Sequence, residues 1–172
     1  MREAFAVLRP PADRPRPEGR PKGLNALGML AWHPELARAY NIFTGQMLYG
    51  STLTPRQREL LVLRVAAVRD SQYEWAQHFA SASDNDIDTD EAERVAIGPE
   101  ARGWTDLERA MLQAVDELVD DARIGNETWA ILAVELDEQQ LMDLVFTVGV
   151  YEVFAMALRT FAVPLDDDLK PQ

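Results

Sequence analysis

Between Leu60 and Val68 eight of nine residues are apolar, and only Arg64 interrupts them. Just upstream, Thr54-Pro-Arg-Gln57 has the form of a capping box with proline at the first helical position, so the run opens as a helix. A helix that is apolar on every side has to be covered on every side. The chain is therefore expected to build itself around a central helix, a subunit interface being another way to cover it. Arg64 needs a partner there, because an unpaired buried charge costs several kcal/mol. Glu152 is the only ionisable group between Leu144 and Leu158 and is the expected partner.

Helix-start signals recur along the chain. Ser71-Gln-Tyr-Glu74 and Thr105-Asp-Leu-Glu108 repeat the capping box, and Asp137-Glu-Gln-Gln140 is a looser version. Between them the apolar spacing is helical: Leu107, Met111, Ala114, Val115 and Leu118 recur at three and four residues, opposite Asp106, Glu108, Asp116 and Glu117. Leu141, Leu144, Val145, Val148, Phe154 and Leu158 repeat the pattern with a wider apolar face. No alternating strand pattern with hairpin turns is present. These signals predict an all-α fold, a compact multi-helix subunit with helices near 24–31, 34–48, 55–69, 72–83, 89–96, 105–121, 126–135 and 138–161.

A chain of 172 residues suits one domain with a core of its own. The domain is expected over 23–165, behind an arm at 1–22 with Pro10, Pro11, Pro15, Pro17 and Pro21, and before an acidic tail at 166–172. The net charge of -12 repels phosphate backbones and argues against nucleic acid as a partner. The arm alone is basic. No cysteine is present, which excludes disulfides, thiol catalysis and zinc–thiolate sites and suits a reducing compartment. No secretory pattern is visible, and the apolar stretch Leu144–Leu158 holds Thr147 and Glu152 and is too short and polar to cross a bilayer. A cytoplasmic protein without membrane or nucleic-acid partners is expected.

There are two histidines, and they differ in setting. His33 precedes Pro34 at a helix boundary and suits a turn. His78 lies four residues after Glu74 and seven after Ser71, so all three share one helix face. Glu59 opens the preceding apolar helix, and two helices joined near Asp70 must lie close together. A histidine flanked by carboxylates is held in one tautomer with its pKa raised, and a buried carboxyl is shifted upward. Such a set moves protons. Equally, Ser71-x-x-Glu74 reads as a helix cap, Glu74 with His78 as an ordinary i,i+4 pair, and Glu59 as neutralising Arg56 or Arg64. A metal site of His78, Glu74 and Glu59 is a weak signature without cysteine, and no metal is assigned.

The run Leu53-Thr-Pro-Arg-Gln-Arg-Glu59-Leu-Leu-Val-Leu-Arg64-Val-Ala-Ala, with Tyr73-Glu74-Trp75-Ala-Gln77-His78 after it, resembles the carboxymuconolactone decarboxylase family. That family includes the alkylhydroperoxidase D-like proteins. The likeness is densest over residues 53–82 and looser from Pro34 to Pro164. The thiol-active branch carries Cys-x-x-Cys-x-x-x-His where this chain has Ser71, Glu74 and His78, with its upstream glutamate at Glu59. Both thiols are missing here, so disulfide-cycling peroxidase activity is not expected.

The set that remains resembles the decarboxylase-type branch, whose reaction removes carbon dioxide from a small carboxylated lactone in aromatic catabolism without a cofactor. That resemblance implies a cofactor-independent lyase or isomerase acting on a small carboxylated or carbonyl ring compound. His78 would be the acid or base, Glu74 would orient it or share its proton, and Glu59 would complete the relay. It also implies a homo-oligomer, a trimer or hexamer. Ser71, Arg64, Trp75 and Tyr151 are the expected substrate contacts, with Tyr40, Phe43 and Met47 as further candidate walls. Arg64, backed by Arg56 or Arg69, would meet an anionic substrate; if all are engaged elsewhere, a neutral one is favoured. The alternative is a non-catalytic member that binds a small ligand or is purely structural.

Overall fold

Four capping boxes set the register of the fold. Thr54, Asp88, Thr105 and Asp137 each accept from the backbone N–H three residues on, and Gln57, Glu91, Glu108 and Gln140 reach back to the cap. Each such cap is worth about 1 kcal/mol. His33 starts another helix, its Nδ1 accepting from the Leu36 N–H at 3.2 Å with Pro34 in the first position. Ser71 is the exception: its side chain makes no capping hydrogen bond, so the box expected with Glu74 does not form.

The structure is a computed structural model and describes residues 20–169. Among these there are eight α-helices and no strand: α1 (Leu24–Leu30), α2 (Pro34–Gly45), α3 (Pro55–Val68), α4 (Gln72–Phe79), α5 (Thr89–Ile97), α6 (Asp106–Asp121), α7 (Asn126–Glu135) and α8 (Glu138–Thr160). α2 runs on into a π turn, Gln46–Gly50. Most of the arm expected at 1–22 and the last residues of the tail lie outside the described residues. α4 ends at Phe79 rather than near 83, because the Ser81 hydroxyl donates to the Gln77 and His78 carbonyls and a short 3₁₀ turn, Ala82–Asn85, follows.

α3 is the central helix, packed against α4, α5, α6 and α8. Its two sides serve two cores. Leu61, Val62 and Val65 join Met111, Val115, Leu144 and Val148, whereas Leu60 and Leu63 join Ile87, Val95, Trp104 and Leu112. That division is why the run from Leu60 has no polar face. Truncating Leu61 to alanine would cost about 2–5 kcal/mol.

Arg64 is paired, as its burial demands, but with Asp116 rather than Glu152. Its Nε and Nη2 reach the Asp116 carboxylate at 2.6 and 2.8 Å, and Nη1 donates to the Val95 and Ala96 carbonyls near the end of α5. Glu152 is taken by Arg69, at 2.6 and 2.8 Å. Five residues separate the two arginines, roughly 140° around a helix, so Arg64 faces α6 while Arg69 faces α8. Gly98 closes against the Arg64 guanidinium with φ +110°, and a Cβ there would stand 2.6 Å from Nη2.

The segment read as an acidic tail begins inside the folded body. Asp166 is buried; its carboxylate accepts from the Leu24 and Asn25 N–H groups at 2.9 and 2.8 Å, from the Tyr73 hydroxyl at 2.8 Å and from Gln77 at 3.1 Å. It thereby fastens α1 over α4. α8 is longer than the apolar stretch read from the sequence and by length and composition alone could cross a membrane. In this fold its inner side, with Leu144, Val148 and Leu158, is core, and its outer side exposes Met142, Phe146, Val153 and Met156, with Phe43 of α2 against Phe146.

Candidate functional site

The α3–α4 turn makes the site. Asp70 takes a left-handed conformation, φ +49°, which reverses the chain so that α4 runs back along α3. Glu59 on α3 and His78 on α4 then meet, Nδ1 to Oε1, at 2.8 Å. The Glu59 side chain is 5% exposed and that of His78 20%. Burial works against charging the imidazole, but the adjacent Glu59 carboxylate outweighs it and holds the His78 pKa above its ordinary value. The bond to Glu59 also fixes the tautomer, leaving Nε2 as the nitrogen able to exchange a proton. From α8, the Tyr151 ring meets the imidazole edge-on with centroids 5.2 Å apart. Burial, then the Glu59 charge, pushes the phenol pKa well up, so Tyr151 stays a proton-bearing donor.

One helical turn before His78, Glu74 is 2% exposed, and neither carboxyl oxygen has a hydrogen-bond partner. Burial raises its pKa to about 7; the neighbouring Ser71 hydroxyl and His78 pull it down only in part, and no aligned hydrogen bond joins it to Ser71. Of the structural readings, the helix cap is therefore gone. Native proteins rarely leave such a carboxyl uncompensated, and a perturbed acid beside a histidine is a common mark of proton-transfer sites.

A cavity of about 190 Å³ opens beside this set, with His78, Tyr151, Tyr40, Asn41, Thr44 and Gln77 among its lining. α1 roofs it through Ala26, Leu27 and Leu30, with Lys22 and Gly23 at its edge, and Leu48 and Phe154 complete the apolar wall. Other expected contacts lie elsewhere. Arg64 turns toward α5 and α6 and is absent from the lining. Trp75 packs on Phe79 in the second core and borders a separate outer cleft with the buried Ser71. Met47 is core, and Phe43 is on the surface against Phe146. Asn41, Thr44 and Leu48 were missed. Their spacing of three and four residues is a helix-face signal, but two polar members disguised it. Among the described residues no group of three or more Asp, Glu or His side chains is arranged to hold a metal ion.

The profile of the carboxymuconolactone decarboxylase family matches residues 34–117, a span that takes in Glu59, Glu74 and His78. Over that span the chain is similar in sequence to the carboxymuconolactone decarboxylase family. Solved structures share the fold. An Agrobacterium tumefaciens protein of unknown function, suggested to be the antioxidant-defence protein AhpD, is 16% identical with a TM-score of 0.74, over 79% of this chain and 94% of that one. An uncharacterized peroxidase-related protein from Silicibacter sp. TM1040 is 17% identical with a TM-score of 0.75, over 85% and 78%. A third, described as an alkylhydroperoxidase AhpD core from Ralstonia eutropha JMP134, is 19% identical with a TM-score of 0.75, over 84% and 78%. No curated protein matches in sequence.

Proposed function

We propose that the chain is a cofactor-independent proton-transfer enzyme of the decarboxylase or isomerase type, acting on a small carbonyl or carboxylated ring compound. The observation that carries this reading is the Glu74 carboxyl, buried without a hydrogen bond and shifted to about 7, one turn from a histidine that Glu59 holds in one tautomer. Around neutral pH Glu74 exists in both protonation states. His78 takes or gives a proton at Nε2, Glu59 stabilises the imidazolium that forms, and Glu74 holds the second exchangeable proton. Without cysteine a dithiol peroxidase cycle has no chemistry to run on.

One observation favours a second reading, passive binding: most of the cavity wall is apolar. Solvent-deuterium incorporation separates the two. A panel holding γ-carboxymuconolactone and neutral cyclic carbonyl compounds is incubated in D₂O with the protein and with a folded His78→Gln variant. The expected result is label in at least one compound, slowed about 10²–10⁴-fold in the variant. Binding without label in any of them would leave the passive reading standing.

We further propose a homo-oligomer, a trimer or hexamer, working in the cytoplasm. The exposed apolar side chains Met142, Phe146, Val153 and Met156 of α8, with Phe43 of α2 against Phe146, support association.

A further inference from the structure

The cavity is small, and no guanidinium lines it: Arg58, whose charge is felt at His78 and Tyr151, lies outside the lining. At about 190 Å³ it falls below the ~300–1,000 Å³ of pockets for drug-sized ligands, leaving room for one ring or a short branched chain. A carboxylate or phosphate buried there needs a charged or multiply hydrogen-bonding partner. Arg56 is bound by Glu91 and Glu108, Arg64 by Asp116 and Arg69 by Glu152. Lys22 sits exposed at the rim, where water and salt screen it. His78 is already offset by Glu59, and Glu74 can add only negative charge. The chain as a whole, at -12, repels anions.

The wall nonetheless asks for an acceptor. The Thr44 hydroxyl lines the cavity, is buried and makes no aligned hydrogen bond, its near neighbour being the Tyr40 phenol. The Tyr151 phenol lines the same space. A buried hydroxyl left unmatched costs about 1–3 kcal/mol, which a ligand oxygen would recover.

We propose that this site takes a small neutral carbonyl compound, its oxygen accepting from the Thr44 and Tyr151 hydroxyls and its adjacent carbon presented to His78 Nε2. The inference rests on the proton-transfer reading and narrows it to uncharged substrates. In the step, the C–H bond beside the carbonyl breaks and its electron pair delocalises onto the carbonyl oxygen. The proton passes to Nε2 of neutral His78, whose Nδ1–H donates to Glu59. Reversal delivers the proton to the same carbon or to a conjugated one. No electrons leave the pair of reactants, and no third reactant is consumed.

A matched pair of probes tests it: cyclohexanone and cyclohexanecarboxylate, alike in ring and different in charge. Binding is read from the His78 imidazole resonances and exchange from loss of the ketone α-proton signal in D₂O. The expected result is that the ketone shifts His78, the carboxylate binds at least tenfold more weakly, and Thr44→Val weakens the ketone about 2–10-fold. Valine is close to threonine in shape, and an unchanged His78 titration in that variant shows the site intact. Carboxylate binding as tight as the ketone's, or no ketone binding, overturns the ligand class whatever the exchange shows. Ketone binding without exchange supports the ligand class and sinks the proton-transfer reading instead.

Discussion

Glu59 and His78 sit 19 positions apart on antiparallel neighbours, and their side chains close to 2.8 Å because Asp70 turns the chain with a positive φ between them. The largest contributions to the His78 pKa oppose each other: burial lowers it, and the Glu59 carboxylate, helped by Glu74, raises it further than burial lowers it. In Glu59→Gln burial and the Arg58 charge are opposed only by the smaller effect of Glu74, so the imidazole pKa is expected to fall. The stabilisation that the pair supplies is present in full below the unfolded-state pKa and is lost as pH rises through the raised folded value. A proton NMR titration of both proteins checks this; superimposable curves would remove Glu59 from the account.

Glu74 has the opposite economy. Its folded pKa of about 7 lies above its ordinary value of 4.5, so the folded state holds the proton more tightly than the unfolded chain. Stability is then full below the unfolded value, declines as pH climbs between the two, and levels off above the folded one. Glu74→Gln mimics the protonated acid and removes that decline. Urea midpoints should show the variant more stable by about 1–3 kcal/mol at pH 8 and near parity at pH 4. Loss of the label incorporation described above should accompany the gain. A variant less stable at both pH values would mean the carboxylate is compensated after all.

Gly98→Ala should unseat Arg64. The backbone conformation there, φ +110°, suits glycine, and the new Cβ would meet the guanidinium that holds Asp116. Backbone strain alone costs about 1–3 kcal/mol, and displacing a buried charge from its partner adds to it. A melting temperature lower by roughly 5 °C or more is expected for a chain of this length. An unchanged melting temperature would show that the loop and Arg64 adapt freely.

Asp166→Ala removes the acceptor shared by Leu24, Asn25, Tyr73 and Gln77. Hydrogen exchange should quicken across α1 while the amides of α3 and α6 keep their protection, because only the roof is released. Equal protection of residues 24–30 in both proteins would show that packing of Ala26 and Met29 suffices.

The helices were largely legible because their signals are local. Thr54, Thr105 and Asp137 announce helix starts within four residues, and the run from Leu60 declares a helix with no free side. Ser71 carries the same signature and misleads: Glu74 turns inward to the protein instead of back to the cap, a choice made by packing that no four-residue window contains. The meeting of Glu59 with His78 could be anticipated from two helices joined by a short turn. The pairing of Arg64 with Glu152 read from the sequence is wrong, since each has other acidic or basic neighbours in reach and helix rotation decides among them. The roof over the cavity was invisible for a plainer reason. Gly23, Ala26 and Leu27 come from one end of the described chain, and the carboxylate that seats them comes from the other.

That last arrangement has a kinetic consequence. The bonds from Leu24 and Asn25 to Asp166 span 142 and 141 positions, nearly the whole described chain. Contacts between such distant partners form late, because the intervening chain must already be in place to bring them together. The cavity therefore gains its roof only once the rest has folded, and on unfolding that roof is the natural first piece to lift. A molecule bound beneath it would act on the chain as a clasp, slowing the first step of its undoing more than any step of its assembly.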